Sequence, residues 1–135
     1  MIILASHGQF AEGLKQTAEL IMGEQKNLFA FSAYCNGVDS VKELIRQKIL
    51  VANENESIYI LTDILGGSVN TEVLSLLNEF PDITVYSGMN LPLLIELLTI
   101  SHLDLYQTLD DARKSIVLVN ELLHHQIKED DLCLN

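Results

Sequence analysis

What most limits the fold of this chain is that its apolar pattern changes period several times. Short continuous apolar runs alternate with stretches in which apolar residues recur every three or four positions. The runs suit strands buried on both faces and the stretches suit helices that cover them, so the alternation predicts an α/β sheet with crossover helices. Ile2-Ile3-Leu4-Ala5 is the first run. Ala11, Leu14, Ala18 and Ile21 form the stripe of the helix after it, which Gly23 is placed to end. Leu28–Ala33, followed by Val41, Leu44, Ile45, Ile49 and Ala52, repeats the scheme across an Asn36-Gly37 turn. A third strand over 57–62 passes through Gly66-Gly67-Ser68 into a helix whose inward face includes Val69, Val73, Leu76 and Leu77, with Pro81 beyond it. The fourth strand, 83–87, leads to Asn90, a suitable cap for a helix that tolerates Pro92 in its first turn.

Beyond residue 101 the pattern supports two readings. Leu105, Leu109, Ala112, Ile116, Val119 and Leu123 fit one helix, while Ile116-Val117-Leu118-Val119 also suits a short buried strand. Connections are short, and there is no fixed-period repeat or low-complexity tract. The expectation is therefore a single doubly wound domain over 1–135, with a mostly parallel four-stranded sheet, helices on both faces and a C-terminal tail over 124–135. A chain of 135 residues, 48% hydrophobic, is long enough to bury one sizeable core.

Charge and composition narrow the function classes. Nineteen acidic residues against eight basic ones leave a net charge of -11, a field that repels nucleic acid and anionic lipid. No apolar run is long enough to span a membrane, and the start of the chain lacks the basic leader of a signal peptide, so a cytoplasmic location is expected. Cys35 and Cys133 make no CxxC pair and read as reduced thiols. His102, His124 and His125 lack the spaced partners of a metal site, and neither a metal nor an organic cofactor is expected. The absence of GxxxxGK[ST] and GxGxxG removes the best-defined signs of nucleotide binding.

Ligands of open parallel sheets bind beyond the carboxyl ends of the strands. The loops at those ends hold Ser6-His7-Gly8-Gln9, Tyr34-Cys35-Asn36-Gly37, the stretch from Asp63 to Ser68, and Gly88-Met89-Asn90. His7 follows an apolar strand and precedes a glycine that lets another molecule approach, so it suits an exposed nucleophile. Alone, it equally suits a local hydrogen-bonding role. Asp63 could hold one ring nitrogen and thereby fix the tautomer in which the other attacks, or it could satisfy loop amides. Gly66, Gly67 and Ser68 open a helix whose free amides and hydroxyl would receive a phosphoryl oxygen, with Asn70 as a further donor. The same residues could form an ordinary tight turn.

Together these segments resemble the enzyme IIA domains of the mannose/fructose/sorbose family of the bacterial phosphoenolpyruvate-dependent sugar phosphotransferase system (PTS). The likeness lies in IILASHGQFAEGLKQTAELIMGEQ, YILTDILGGSVNTEVL and YSGMNLPLLIELL and in the spacing between them. The resemblance implies a phosphocarrier that accepts a phosphoryl group from HPr on His7 and donates it to a IIB component, with the membrane components IIC and IID engaged only indirectly. It implies Nε2 as the phosphorylated atom, with Asp63 on Nδ1 and Gly66, Gly67 and Ser68 beside the phosphoryl group. It further implies a homodimer that exchanges a C-terminal antiparallel strand, which favours 116–119 as that strand. Ile64-Leu65 and Ser68-Val69-Asn70 stand where the family often has an aromatic residue and SPFN, a departure that bears on partner and sugar. With no Ala/Pro linker to a fused IIB domain, the chain is expected to work as a separate IIA protein. The phosphotransfer subunit of a dihydroxyacetone kinase and a non-catalytic regulatory module of this fold are the alternatives.

Overall fold

A computed structural model describes residues 1–133; positions 134 and 135 of the expected tail lie outside the described residues. The elements run β1 (Ile2–His7), α1 (Phe10–Met22), β2 (Leu28–Ala33), α2 (Lys42–Leu50), β3 (Tyr59–Thr62), α3 (Ser68–Leu76), β4 (Thr84–Ser87), α4 (Leu91–Thr99), α5 (Leu105–Lys114) and α6 (Val119–Cys133). The four strands form one sheet in the order β2-β1-β3-β4, and every neighbouring pair is parallel.

Period-two alternation in β1 divides the core. Ile2 and Leu4 face a cluster built with Ala11, Leu14 and Ala18 of α1, Leu93, Leu94 and Leu97 of α4, and Ala112 of α5. Ile3 and Ala5 face the opposite cluster, with Ile45 and Ile49 of α2 and Val69, Val73 and Leu76 of α3. Helices thus cover both faces, and β1 is buried through its first five residues because it is apolar on each side. Fully burying a side chain such as Ile3 or Leu4 contributes roughly 1.5–3 kcal/mol relative to leaving it exposed.

The local signals act where the sequence places them. Gly23 adopts φ +87° at the end of α1. Asn90 Oδ1 accepts from the Leu93 amide at 2.9 Å, which caps α4 with Pro92 inside its first turn. Strands β3 and β4 are shorter than expected at their starts, beginning at Tyr59 and Thr84. Two stripe positions differ more: Ile21 and Leu44 lie on exposed helix surface. Both sit at the rim of stripes whose centres, Leu14–Ala18 and Ile45–Ile49, already meet the sheet.

The C-terminal third departs from both simple readings. Among the described residues neither one continuous helix nor a strand forms there. Helix α5 ends at Lys114, residues 116–118 are irregular, and Val119 begins α6. Asp104 caps α5 by accepting from the amides of Tyr106 and Gln107. Thr108 and Ala112 are its buried residues, whereas α6 buries none. Ile116, Val117, Leu118 and Val119 are all at least half exposed. The expected tail from 124 is therefore helical through Cys133 and stands on the surface.

Candidate functional site

The strand order reverses between β1 and β3, because β2 lies on one side of β1 while β3 and β4 lie on the other. At such a switch point the following loops part and leave a crevice beyond the strand ends. His7 is the last residue of β1, and Asp63 directly follows β3. Parallel pairing in which Ala5 stands opposite Thr62 brings together two residues 56 positions apart in the chain.

Asp63 binds His7 twice through one oxygen. Oδ2 lies 2.8 Å from the His7 amide and 2.7 Å from Nδ1, while Oδ1 accepts from the Ile64 amide at 2.9 Å. Partial burial pushes the Asp63 carboxyl up. The bonds from the His7 amide and ring, with the Ile64 amide, outweigh that effect and hold it below the usual carboxylate range. An ionised carboxylate only accepts hydrogen bonds, so in the neutral ring the tautomer it favours has the proton on Nδ1 and the lone pair on Nε2. The imidazole remains 42% exposed while the aspartate side chain is 13% exposed, an open nucleophile on a sheltered support.

Nε2 points at the start of α3, with Ser68 Oγ at 3.0 Å. Gly67 occupies the position before the helix with no side-chain cap, and the first intrahelical bond recorded there is Thr71 N–H to Gly67 O at 2.9 Å. The amides of Ser68, Val69 and Asn70 therefore belong to the unpaired first turn, where the helix dipole favours negative charge. Gly66 turns the chain at φ +79°. Gly67 has an ordinary extended backbone but is pressed close: a Cβ there would stand 3.2 Å from His7 Cε1 and 2.9 Å from Ile64 Cγ2. The glycine is needed for closeness to the imidazole rather than for an unusual φ.

Asn70 is 1% exposed, and its Oδ1 accepts from Thr62 Oγ1 at 2.9 Å, so it ties α3 to the end of β3 beneath the site. Sequence reasoning passed over Tyr34, which lies in the loop after β2. Its ring stacks on His7 with centroids 5.6 Å apart and planes 23° from parallel, and its hydroxyl is 3.0 Å from Ser68 Oγ. The signal that could have found it was an aromatic residue in a loop at a strand's carboxyl end. Phe10, Ile64 and Leu65 are exposed on the same side of the sheet, following β1 and β3. His102, His124 and His125 stay on the surface, and among the described residues no cluster of histidine, cysteine or carboxylate side chains could hold a metal ion. No described helix is long and apolar enough to cross a membrane.

Chemically, the site aims one ring nitrogen at unpaired amides and a hydroxyl, with a carboxylate on the other nitrogen. A family model described as the PTS system fructose IIA component matches residues 1–116. The fructose-specific EIIA component of Bacillus subtilis (strain 168) is 30% identical over 114 residues, which cover 83% of this chain and 78% of that protein. The mannose-specific EIIAB component of Escherichia coli (strain K12) is 27% identical over 72% of this chain, but the match spans only 30% of that longer protein. The solved structure of the PTS IIA protein associated with the fucose utilization operon of Streptococcus pneumoniae has a TM-score of 0.79 at 30% identity, covering 90% of this chain and 94% of that one.

Proposed function

The chain belongs to the family of PTS fructose/mannose-type IIA components, which has a phosphotransfer role in sugar uptake, and on that premise we propose that it is a cytoplasmic phosphocarrier in which His7 is phosphorylated on Nε2. The observation that carries the assignment is the pair of contacts on one imidazole, Asp63 on Nδ1 at 2.7 Å and Ser68 on Nε2 at 3.0 Å.

The donor is HPr and the acceptor a IIB component, with IIC and IID reached only through IIB. In the first step the Nε2 lone pair attacks phosphorus in line with the N–P bond of phospho-HPr. As the new N–P bond forms, the old one breaks and its electron pair returns to the donor's imidazole. No proton has to move, since Nδ1–H stays on Asp63 throughout. The ring acquires positive charge that Asp63 opposes, and the amides and hydroxyl at the start of α3 accommodate the phosphoryl oxygens. The transition state is loose, so positioning and dispersal of charge are what the protein contributes. In transfer to IIB the acceptor's nucleophile attacks the same phosphorus in line, and as its bond forms the Nε2–P bond breaks and its electron pair returns to His7. Gly66 and Gly67 bring the loop to the imidazole, and Asn70 supports it from beneath through Thr62. A homodimer that exchanges residues 116–119 is supported by that run's exposure as an apolar segment next to a helix that buries nothing.

Incubation with phosphoenolpyruvate, enzyme I and HPr should label the protein with acid-labile phosphate, and His7→Ala should take none. Normal labelling of that variant, acid-stable phosphate, or phosphate found on Asp63 by mass spectrometry would refute the assignment.

A further inference from the structure

We propose that Tyr34 is a positioning residue that prolongs the life of the phosphoryl group on His7, acting with its ring face on the imidazole and with its hydroxyl on Ser68. The inference rests on the phosphocarrier reading of His7 and extends it to a residue outside the histidine, aspartate and glycine-serine set.

Three observations converge. Tyr34 has φ +60°, a conformation that bulky L-residues rarely adopt and that is often retained at functional sites. The backbone is held there by a bond from the Tyr34 amide to Val38 O at 2.6 Å and one from the Val38 amide to Cys35 O at 3.0 Å. The side chain is 57% exposed, so core packing does not demand this placement; what the conformation achieves is the stack on His7. The tyrosine hydroxyl also continues a chain of contacts, Tyr34 Oη to Ser68 Oγ to His7 Nε2, each link 3.0 Å long.

Proton bookkeeping gives that chain a direction. Nδ1 carries its hydrogen toward Asp63, so Nε2 can only accept, and Ser68 O–H donates to it. With the serine proton committed, the tyrosine O–H donates to Ser68 Oγ. When Nε2 bonds to phosphorus its lone pair is used, and Ser68 O–H turns to a phosphoryl oxygen. Tyr34 still fills an acceptor position on Ser68 and leaves the serine proton directed at the phosphate. The phosphorylated ring is cationic and lies against the electron-rich tyrosine face.

Loss to water breaks the N–P bond and returns the electron pair to Nε2. The water oxygen bonds phosphorus, and its proton leaves with inorganic phosphate. As the phosphoryl group departs through a loose transition state, negative charge drains from its oxygens and positive charge from the ring. Both contributions of Tyr34 weaken along that path. They stabilise the loaded carrier more than the transition state for its hydrolysis, so a carrier that must wait for an acceptor keeps its cargo longer.

Phosphoramidate, a small N–P donor that needs no partner protein, can load the full chain, and the loss of phosphate from His7 can then be followed by phosphorus NMR at neutral pH. Tyr34→Phe keeps the ring and should lose phosphate about threefold to tenfold faster, the loss of one hydrogen bond. Tyr34→Leu removes the π face as well and should be about twofold to fivefold faster again. In a Ser68→Ala background, Tyr34→Phe should add nothing, because its hydroxyl works through the serine. Circular dichroism confirms that each variant is folded. Wild-type decay in folded Tyr34→Phe and Tyr34→Leu would overturn the inference, as would a full Tyr34→Phe effect in the Ser68→Ala background. A wild-type protein that takes no phosphate from phospho-HPr, yet shows these decay ratios, would refute the PTS assignment and leave the tyrosine role standing. Labelling by phospho-HPr with equal decay rates would do the opposite, and failure of both phosphoramidate and phospho-HPr to load His7 would overturn both.

Discussion

Substituting Gly67 by alanine separates the geometry of the site from the stability of the fold. At φ −69° and ψ 164° the backbone suits alanine, so the change introduces no left-handed strain. The added methyl would meet Ile64 Cγ2 at 2.9 Å, Ile64 O at 3.3 Å and His7 Cε1 at 3.2 Å. The Ile64 side chain is 60% exposed and can turn away. The imidazole has less freedom, since Asp63 holds Nδ1 at 2.7 Å, and must yield by a few tenths of an ångström. A misplacement of about 1 Å can cost on the order of 100-fold in rate, so a shift of this size should slow phosphoryl transfer about threefold to tenfold. Stability should change by less than about 1 kcal/mol, because the lower entropy of the unfolded alanine chain roughly offsets a poorer helix cap. The assay pairs urea unfolding with single-turnover transfer from phospho-HPr. Unchanged transfer in the folded variant would refute the argument that glycine is required for close approach to His7, and a loss of several kcal/mol would show that folding, not placement, was at stake.

Asp63→Asn keeps only one of the two oxygens that accept the His7 and Ile64 amides and should reduce phosphorylation by on the order of 100-fold or more, because an amide neither fixes the attacking tautomer nor opposes the ring's charge; quantified labelling of His7 checks this. Because the Asp63 carboxyl is held below its unfolded value, its contribution to stability is fully present above that value and is lost as pH falls through the lower, folded one. Acid unfolding curves of wild type and Asp63→Asn should therefore converge below about pH 4, and a difference that grows toward lower pH would refute the sign. Asn70→Ala should cost about 1–3 kcal/mol in urea unfolding by taking from the buried Thr62 hydroxyl its acceptor at 2.9 Å and leaving it only Tyr86 O at 3.5 Å. Burial and the neighbouring Asp111 raise the Glu96 carboxyl, so its ionisation opposes folding at neutral pH. Glu96→Gln should raise stability at pH 7 slightly, by less than about 1 kcal/mol, with the gain disappearing in acid.

Much of the fold was legible because burial on both faces of a parallel sheet leaves a plain mark. The run Ile2-Ile3-Leu4-Ala5 and the stripes beginning at Ala11 and Val69 each lie where their periodicity puts them. Once the strands are parallel, their carboxyl ends share one edge, so His7, Asp63 and the Gly66-Gly67-Ser68 turn could be nominated from the sequence as neighbours. Gly23 and Asn90 were equally readable, since a helix end is recognised by the chemistry of a few adjacent residues.

Only tertiary structure could decide the features that depend on how separate segments meet. Asn70 reads as a polar residue of the loop, and only the folded chain shows that its Oδ1 accepts from Thr62 in the interior. Ile21 and Leu44 satisfy helical periodicity but lie outside the narrow strips that the sheet covers. Residues 116–119 carry the composition of a strand or a helix, and in the single chain no neighbouring surface buries them. Tyr34 is the clearest case, because its position over His7 follows from a left-handed backbone and from the pairing of β1 with β2. Apolar period and local turn chemistry are written residue by residue along the chain. The direction of a loop side chain, and which surface remains to receive it, exist only after the strands have paired.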